Sequence, residues 1–373
     1  MAAVVGIPRE IKKDEYRVAV APSGVHFLAE EGHRVLIEKG AGVGSGIPDA
    51  EYLHAGGEIA AGPEEIYAAC DVIAKVKEPL PAEYGLIRPG QIIFTFFHFA
   101  ASRELTEAMI ASGATCIAYE TIRDRQGKLP ILTPMSEVAG RMSVLEGAKY
   151  LEKPFGGRGV LISGVPGVEP AKVVILGGGV VGLNAAQIAG GVGAQVTIFD
   201  VNSERLRYLD DVLPPNVTTL YSNPLMIRKK VLQADLVIGA VLVAGAKAPL
   251  LVKREDVKRM KDGSVILDVA VDQGGCVETC RPTTHSNPTF VEEGVVHYCV
   301  ANMPGAVART STFALTNATL PYLLVIARGG VRGLLDLGPE AADGINIHRG
   351  KVYHKGVAEA FQLRVTDLVE AGV

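Results

Sequence analysis

The chain has 373 residues, of which 48% are hydrophobic and 21% charged, and its formal net charge is −4. This length predicts two or three domains, and the composition excludes a disordered or collagen-like chain. Without a basic excess to neutralise phosphates, no dedicated nucleic-acid binder is expected, and the expected partner is a small molecule.

The first third of the chain alternates predicted strands with predicted helices. Strands are predicted at residues 4–7, 34–37, 71–76, 91–97 and 115–119, with helices at 23–31 and 101–112. This alternation indicates parallel strands in an α/β layer. Residues 134–153 then form one long predicted helix, which we interpret as a crossing between domains.

A second alternation begins at Lys172 and predicts a second α/β domain. Its strands are predicted at 173–176, 195–199, 235–240, 264–269 and 295–300. The uncharged stretch 173–199 is long enough for a membrane helix, but its glycines and amides favour strand, turn, helix and strand. A helix is predicted from Pro304 to about Ala327, and the pattern leaves the tail beyond it unassigned to either domain.

A glycine fingerprint follows the strand at 173–176. Gly177, Gly179 and Gly182 have the G-x-G-x-x-G spacing, which allows a tight turn, close approach of the backbone to a pyrophosphate, and close packing of helix on strand. Asp200 ends the next predicted strand, where a carboxylate binds the adenosine ribose hydroxyls and repels a 2′-phosphate. The pattern predicts a dinucleotide site that favours NAD, although the nearby Arg205 leaves NADP open.

Polar residues near predicted strand ends are candidates for a substrate site. Lys75 and Lys77 alternate with a valine at one strand end, and His98 ends an aromatic strand, where open α/β sheets usually bind ligands. Arg17 lies among other charges, and Asp272 begins a glycine-rich loop after a strand. The alternative interpretations are a core histidine, a solvated lysine pair and a surface ion pair.

The cysteines point to a cytoplasmic protein. Five scattered cysteines, an odd number, are typical of reduced thiols, and the charges at Arg9 and Glu10 come too early for a secretory hydrophobic region. We expect no membrane segment. No metal site is predicted, because Cys276 and Cys280 lack a nearby histidine cluster.

Motifs along nearly the whole chain resemble those of the family of L-alanine dehydrogenase and the NAD(P) transhydrogenase α-subunit. They are GIPRE (6–10), EYRVA (15–19), KVKEP (75–79), PMSEVAGR (134–141), GVPGVEP (164–170), DVAVDQGGC (268–276), VANMPG (300–305) and YHKGVAEAF (353–361). The resemblance implies two Rossmann-like doubly wound domains separated by a cleft and joined by long crossing helices. It implies a substrate domain of residues 1–133 plus 308–373, an NAD domain of residues 134–307, and a homohexamer.

The resemblance also implies an activity and its residues. The activity is reversible NAD-dependent oxidative deamination of L-alanine to pyruvate and ammonium. Arg17 and Lys77 hold the substrate carboxylate and carbonyl, and a tight pocket is expected near Met135 and Asn302. His98 and Asp272 form the catalytic pair. The implied NAD contacts are Ser136, Val180, Asp200, Arg205, Ser222 and Arg281, with backbone at Leu242, Val269 and Val300 to Met303.

Two alternative functions remain open on the sequence. Several motifs are shared with the NAD-binding subunit of proton-translocating transhydrogenase, which docks onto a membrane channel. A non-catalytic NAD-binding regulatory module is the other alternative.

Overall fold

The computed structural model describes residues 2–241, 248–271 and 274–367. The chain divides into two compact units, Met1–Met135 with Gly305–Val373 (unit 1) and Ser136–Pro304 (unit 2). Asp272 and Leu242, both candidate site residues, lie outside the described residues.

Strands and helices alternate along most of the described chain. The strands are β1 (Val4–Ile7), β2 (Arg34–Glu38), β3 (Glu58–Ala60), β4 (Val72–Ala74), β5 (Ile92–Thr95), β6 (Thr115–Ala118), β7 (Lys172–Leu176), β8 (Gln195–Asp200), β9 (Val217–Tyr221), β10 (Leu236–Gly239), β11 (Val265–Asp268), β12 (Thr289–Glu292), β13 (Val295–Tyr298), β14 (Ile345–His348) and β15 (Lys351–Val352). The α-helices are α1 (Pro22–Glu30), α2 (Asp49–His54), α3 (Pro63–Ala69), α4 (Pro81–Tyr84), α5 (Arg103–Ser112), α6 (Thr133–Tyr150), α7 (Val180–Gly191), α8 (Ser203–Val212), α9 (Pro224–Val231), α10 (Arg254–Val257), α11 (Ala308–Asp336), α12 (Pro339–Ala342) and α13 (Lys355–Phe361).

Unit 1 is built on an eight-stranded sheet. Its parallel part has the order β3-β2-β1-β4-β5-β6, and β14 and β15 extend it antiparallel beyond β6. Alternate residues of β5 pack in different cores, since Ile92 and Phe94 pack in one cluster while Ile93 packs in another. Helices therefore cover both faces of the sheet, which is the doubly wound arrangement.

Unit 2 repeats this architecture. Its parallel strands have the order β9-β8-β7-β10-β11-β13, and β12 pairs antiparallel with β13 at the edge. Val173 and Ile175 of β7 pack in one core, and Val174 and Leu176 pack in the core on the opposite face. The uncharged stretch 173–199 is thus strand, helix and strand, as predicted.

The C-terminal tail belongs to unit 1, because β14 pairs with β6. The preceding helix α11 extends past the predicted end at Ala327 to Asp336, with non-helical backbone at Gly330. Among the described residues, the helical segment Met303–Asp336 is the one long and apolar enough to cross a membrane. Leu315, Leu323 and Ile326 of this segment are buried in the core of unit 1, as in the core helix of a globular domain.

Candidate active site

The polar candidates of unit 1 follow the carboxyl ends of three neighbouring parallel strands. Arg17 lies beyond β1, Lys77 beyond β4 and His98 beyond β5, and β1 pairs with both β2 and β4. The chain therefore reverses its direction of winding between β1 and β4. Open α/β sheets bind ligands in the crevice outside this point, at the carboxyl ends of the strands.

Arg17 is buried and held in a fixed orientation. It is 3% exposed, and its Nε and Nη2 donate to the two carboxylate oxygens of Glu15, each at 2.6 Å. Its Nη1 lies 3.1 Å from Sδ of Met135. Burial opposes ionisation of Glu15, but the hydrogen bonds and charge of Arg17, with help from Lys77, lower the pKa of Glu15 to about 2. Glu15 thus stays an anion and fixes the plane of the guanidinium.

The two lysines after β4 have different surroundings. Lys75 is fully buried between Glu10 and Glu83. For Lys77, in contrast, burial and the nearby positive charges of Arg17 and Lys12 lower the pKa. The strand ends at Ala74 rather than Val76, and just beyond it the Glu10 carboxylate accepts the N–H of Val76 at 2.6 Å. Lys77 is therefore the lysine whose charge is coupled to Arg17.

His98 is exposed and held through its backbone. It adopts the left-handed region at φ 50° and ψ 41°, which few residues other than glycine occupy. Oε1 of Glu120 accepts its N–H at 2.6 Å, and the same carboxylate accepts the N–H of Phe97 at 3.2 Å. The imidazole stacks on Phe96, with ring centroids 5.8 Å apart and planes 3° apart. These contacts fix the backbone and one face of the ring, while the residue stays exposed.

The loop that contains Asp272 is anchored by a buried carboxylate at its described ends. Asp268 ends β11, and its oxygens accept the N–H groups of Ala270 at 3.0 Å and Cys276 at 2.8 Å. Burial raises the pKa of Asp268, and these backbone hydrogen bonds oppose the shift. Gly239 packs on this side chain, where a Cβ would lie 2.8 Å from its carboxyl carbon.

The glycine fingerprint of unit 2 forms the turn between β7 and α7. Gly177 has φ +103°, and a Cβ there would lie 2.6 Å from the Ala240 carbonyl oxygen. At Gly182 a Cβ would lie 1.9 Å from the Gly177 carbonyl oxygen, whereas at Gly179 it would meet no atom within 4 Å. Gly179 is the N-cap residue just before α7, and it provides no side-chain cap. The turn thus presents an open backbone surface at a helix N-terminus, which fits a pyrophosphate.

Asp200, Arg205 and Ser222 surround this turn. Asp200 ends β8, and its Oδ2 accepts the N–H of Gly178 at 2.8 Å. The Arg205 guanidinium donates to the carbonyl oxygens of Gly178 at 2.5 Å and Gly179 at 3.2 Å. Ser222 donates its N–H to the Asp200 carbonyl oxygen at 2.9 Å. Arg205 therefore braces the turn itself, and the carboxylate stands where a ribose is expected.

The remaining predicted residues of unit 2 lie on several elements. Ser136 lies in the first turns of α6, and Val180 is the first residue of α7. Arg281 stacks over Phe290, with its guanidinium carbon 4.2 Å from the ring centroid. Val300 and Met303 are buried in a core cluster of unit 2, against which Val269 packs. Asn302 has left-handed backbone (φ 63°), and its carbonyl oxygen lies 3.1 Å from Nε2 of His285.

Three acidic residues of the site were not predicted from the sequence. Glu15 orients Arg17, Glu120 holds the His98 backbone, and Glu10 holds the backbone after β4. Glu10 and Glu15 stand inside the motifs GIPRE and EYRVA, but a lone glutamate in a loop carries no signal that distinguishes a buried support from a solvated charge.

The doubly wound fold and the glycine fingerprint place the chain in the class of dinucleotide-binding α/β proteins. Two family models match it, "Alanine dehydrogenase/PNT, N-terminal domain" over residues 6–139 and "Alanine dehydrogenase/PNT, C-terminal domain" over residues 143–355. The chain belongs to the alanine dehydrogenase/PNT family.

Individual relatives agree with this assignment. A protein of Methanococcus maripaludis named alanine dehydrogenase is 55% identical over 369 residues, which cover 99% of each chain. A solved structure of L-alanine dehydrogenase is 52% identical and superimposes with a TM-score of 0.93, covering 96% of this chain and 99% of that one. The transhydrogenase structure from Sinorhizobium meliloti is more distant, with 26% identity, a TM-score of 0.80, and coverage of 94% and 99%.

Proposed function

We propose that this protein catalyses the reversible, NAD-dependent oxidative deamination of L-alanine to pyruvate and ammonium. The observation that carries the proposal is the buried, oriented guanidinium of Arg17 beside Lys77 at the carboxyl edge of a doubly wound sheet. The names and identities of the full-length relatives support it.

The charges of unit 1 suit an anionic substrate. Glu15 holds one edge of the Arg17 guanidinium, whose Nη1 lies next to Met135, and we assign this oriented cation to the substrate carboxylate, which it would bind by charge-assisted hydrogen bonds. Burial and neighbouring cations lower the pKa of Lys77, and a bound carboxylate offsets that repulsion. Lys77 then places positive charge at the carbonyl oxygen of pyruvate, or of the intermediate that leads to it.

Unit 2 supplies the groups that would hold NAD. The open backbone at Gly179 would hold the pyrophosphate, and Asp200 would accept hydrogen bonds from the adenosine ribose. The bound cofactor would supply the acceptor for the hydride on the α-carbon of alanine. The carboxylate of Asp200 disfavours a 2′-phosphate, so we assign NAD rather than NADP.

Proton transfer is assigned to His98 and Asp272. An imidazole can act as general acid or base, and His98 is exposed and available to a substrate oxygen. Asp272, which lies outside the described residues, offers a negative partner for the ammonium group. Met135, whose Sδ lies 3.1 Å from Nη1 of Arg17, would limit the size of the substrate side chain.

We further propose a cytoplasmic homohexamer, with substrate bound by residues 1–133 plus 308–373 and NAD by residues 134–307. All five cysteines are described and free, which supports a reducing compartment.

Purified protein tests the function directly. We expect L-alanine to reduce NAD⁺, with a much higher kcat/KM than glycine, L-serine, L-glutamate or L-lysine. Absence of reduction with every amino acid would favour a non-catalytic NAD-binding module, and activity that requires an NADP-binding membrane partner would favour a transhydrogenase subunit.

A matched pair of variants tests the site. Arg17→Gln should lower kcat/KM for alanine by ~10- to 150-fold, since it removes a charge-assisted contact worth ~1.5 to 3 kcal/mol. Arg34→Gln is the control, because Arg34 forms the same two-bond pair with Glu58, at 2.8 and 2.7 Å, on the surface. An equal loss in both variants would contradict the site.

A further inference from the structure

Beside the proposed substrate site, unit 1 contains a buried ionic cluster that the reaction does not use. Lys75 has no exposed surface, and its Nζ lies 3.3 Å from Oε2 of Glu10 and 2.9 Å from Oε1 of Glu83. Both glutamate side chains are at most 5% exposed. The hydroxyl of Tyr67 donates to Oε1 of Glu83 at 3.0 Å. The side chains of Lys75, Glu10 and Glu83 are therefore removed from water together.

The two glutamates of this cluster hold the backbone on both sides of Lys77. Oε1 of Glu10 accepts the N–H of Val76 at 2.6 Å and that of Lys77 at 3.4 Å. Oε2 of Glu83 accepts the N–H of Leu80 at 2.9 Å. Beyond Ala74, where β4 ends, these carboxylates add to the backbone hydrogen bond that the Lys75 N–H donates to the Phe94 carbonyl oxygen at 3.0 Å. The segment that carries Lys77 is thus fixed at its start and at its end.

Lys75 joins these two anchors. Without its ammonium group, two carboxylates would share an apolar interior with no cation between them, and at least one would have to gain a proton or move toward water. Either response disturbs a hydrogen bond to the segment from Val76 to Leu80. A buried ion pair adds little net stability compared with apolar packing, so its main consequence here is the geometry that it imposes.

We propose that Lys75 is a positioning residue, which fixes the Lys77 ammonium for the substrate by holding Glu10 and Glu83 against the backbone on either side of Lys77. This inference rests on the proposed function, because the proposed function is what assigns the binding of the substrate oxygen to Lys77.

The test compares substrate kinetics with NADH binding in the full-length enzyme. Lys75→Met removes the charge and keeps a similar length. We expect it to raise the KM for pyruvate or lower kcat so that kcat/KM falls at least ~10-fold, while the Kd for NADH, whose proposed site is in unit 2, stays within twofold. A folded Lys75→Met enzyme with unchanged kcat/KM would overturn the proposal, as would an equal loss of NADH affinity.

Two further variants keep the test decisive if Lys75→Met does not fold. In Lys75→Met/Glu10→Gln, the amide oxygen can still accept the Val76 N–H and the buried charge is reduced, so we expect pyruvate kcat/KM to recover to within about fivefold of wild type. Glu10→Ala removes the acceptor and should lose kcat/KM at least ~10-fold. Wild-type kcat/KM in Glu10→Ala contradicts the mechanism.

Lys261→Met is the matched control. In the wild type, Nζ of Lys261 lies 2.8 Å from Oδ1 of Asp235 in unit 2, so this variant also loses an ion-paired lysine. It should leave kcat/KM for pyruvate unchanged. The same loss in this control would overturn the proposal. Failure of the proposed function is distinguishable, because then wild-type protein itself would show no alanine-dependent reduction of NAD⁺.

Discussion

Gly179→Ala separates cofactor binding from folding at the glycine turn. A Cβ at Gly179 meets no heavy atom within 4 Å, and its φ of −65° lies outside the left-handed region that favours glycine. The structural cost is that of alanine at a helix N-cap, several tenths to ~1 kcal/mol. The added methyl group instead occupies the open surface at the start of α7, where the pyrophosphate is proposed to lie.

The expected loss of affinity follows from the hydrogen bonds that the methyl group prevents. One backbone hydrogen bond to a charged phosphate is worth ~1.5 to 3 kcal/mol. Since ~1.4 kcal/mol changes a dissociation constant tenfold, Gly179→Ala should raise the Kd for NADH by ~10- to 150-fold. Calorimetric titration with NADH, combined with thermal unfolding of the same samples, measures both quantities.

Two other glycines provide the controls. Gly191 lies in the last turn of the same helix, and a Cβ there would also meet no heavy atom within 4 Å. Gly191→Ala should therefore keep the wild-type Kd and gain up to ~1 kcal/mol of stability. Gly182→Ala should lose both affinity and stability, because its Cβ would lie 1.9 Å from the Gly177 carbonyl oxygen. Wild-type NADH affinity in Gly179→Ala would refute the placement of the pyrophosphate.

Three more outcomes are expected. Glu15→Gln should lower the free energy of unfolding by ~3 kcal/mol at pH 7, because a buried guanidinium loses its counter-charge. Since the pKa of Glu15 is lowered from 4.5 to about 2, urea unfolding should show this wild-type advantage in full above pH 4.5 and lose it as the pH falls toward 2. Glu120→Ala should lower kcat by ~10- to 100-fold through displacement of His98, with NADH affinity unchanged. Its control is Asp71→Ala, which also removes a carboxylate that accepts a backbone N–H, that of Val4 at 2.9 Å, and should leave kcat unchanged. Asp200→Asn should raise kcat/KM for NADP⁺ at least ~10-fold in steady-state assays, and no gain would assign the discrimination to another residue.

The sequence predicts the central strands of both sheets because these strands are apolar on both faces. The run at 173–176 and its glycine turn lie where expected, and the local spacing of the glycines determines the turn. The edge strands β3, β9, β12 and β15, and β14 beside β15, were not predicted. They are short or carry polar residues, and pairing with a neighbour rather than apolar patterning defines them.

The candidate substrate site was predicted less completely than the turn. Motif resemblance distinguished Lys77 from Lys75, a distinction that local alternation could not make, and the structure supplies a physical reason in the Glu10 and Glu83 ion pairs of Lys75. The interpretation of Arg17 as a solvated surface ion pair is wrong, because Arg17 is 3% exposed. Such burial depends on residues distant in sequence, as the contact with Met135 shows, and no local pattern reports it.

The central claim is that the bound amino acid gives a hydride to the nicotinamide, and isotope transfer tests it most directly. Oxidation of L-alanine deuterated at the α-carbon, in ordinary water, should yield NADH that carries one deuterium atom per pyruvate formed, as measured by mass spectrometry. NADH that contains only hydrogen from water, or pyruvate formed without NADH, would contradict the account.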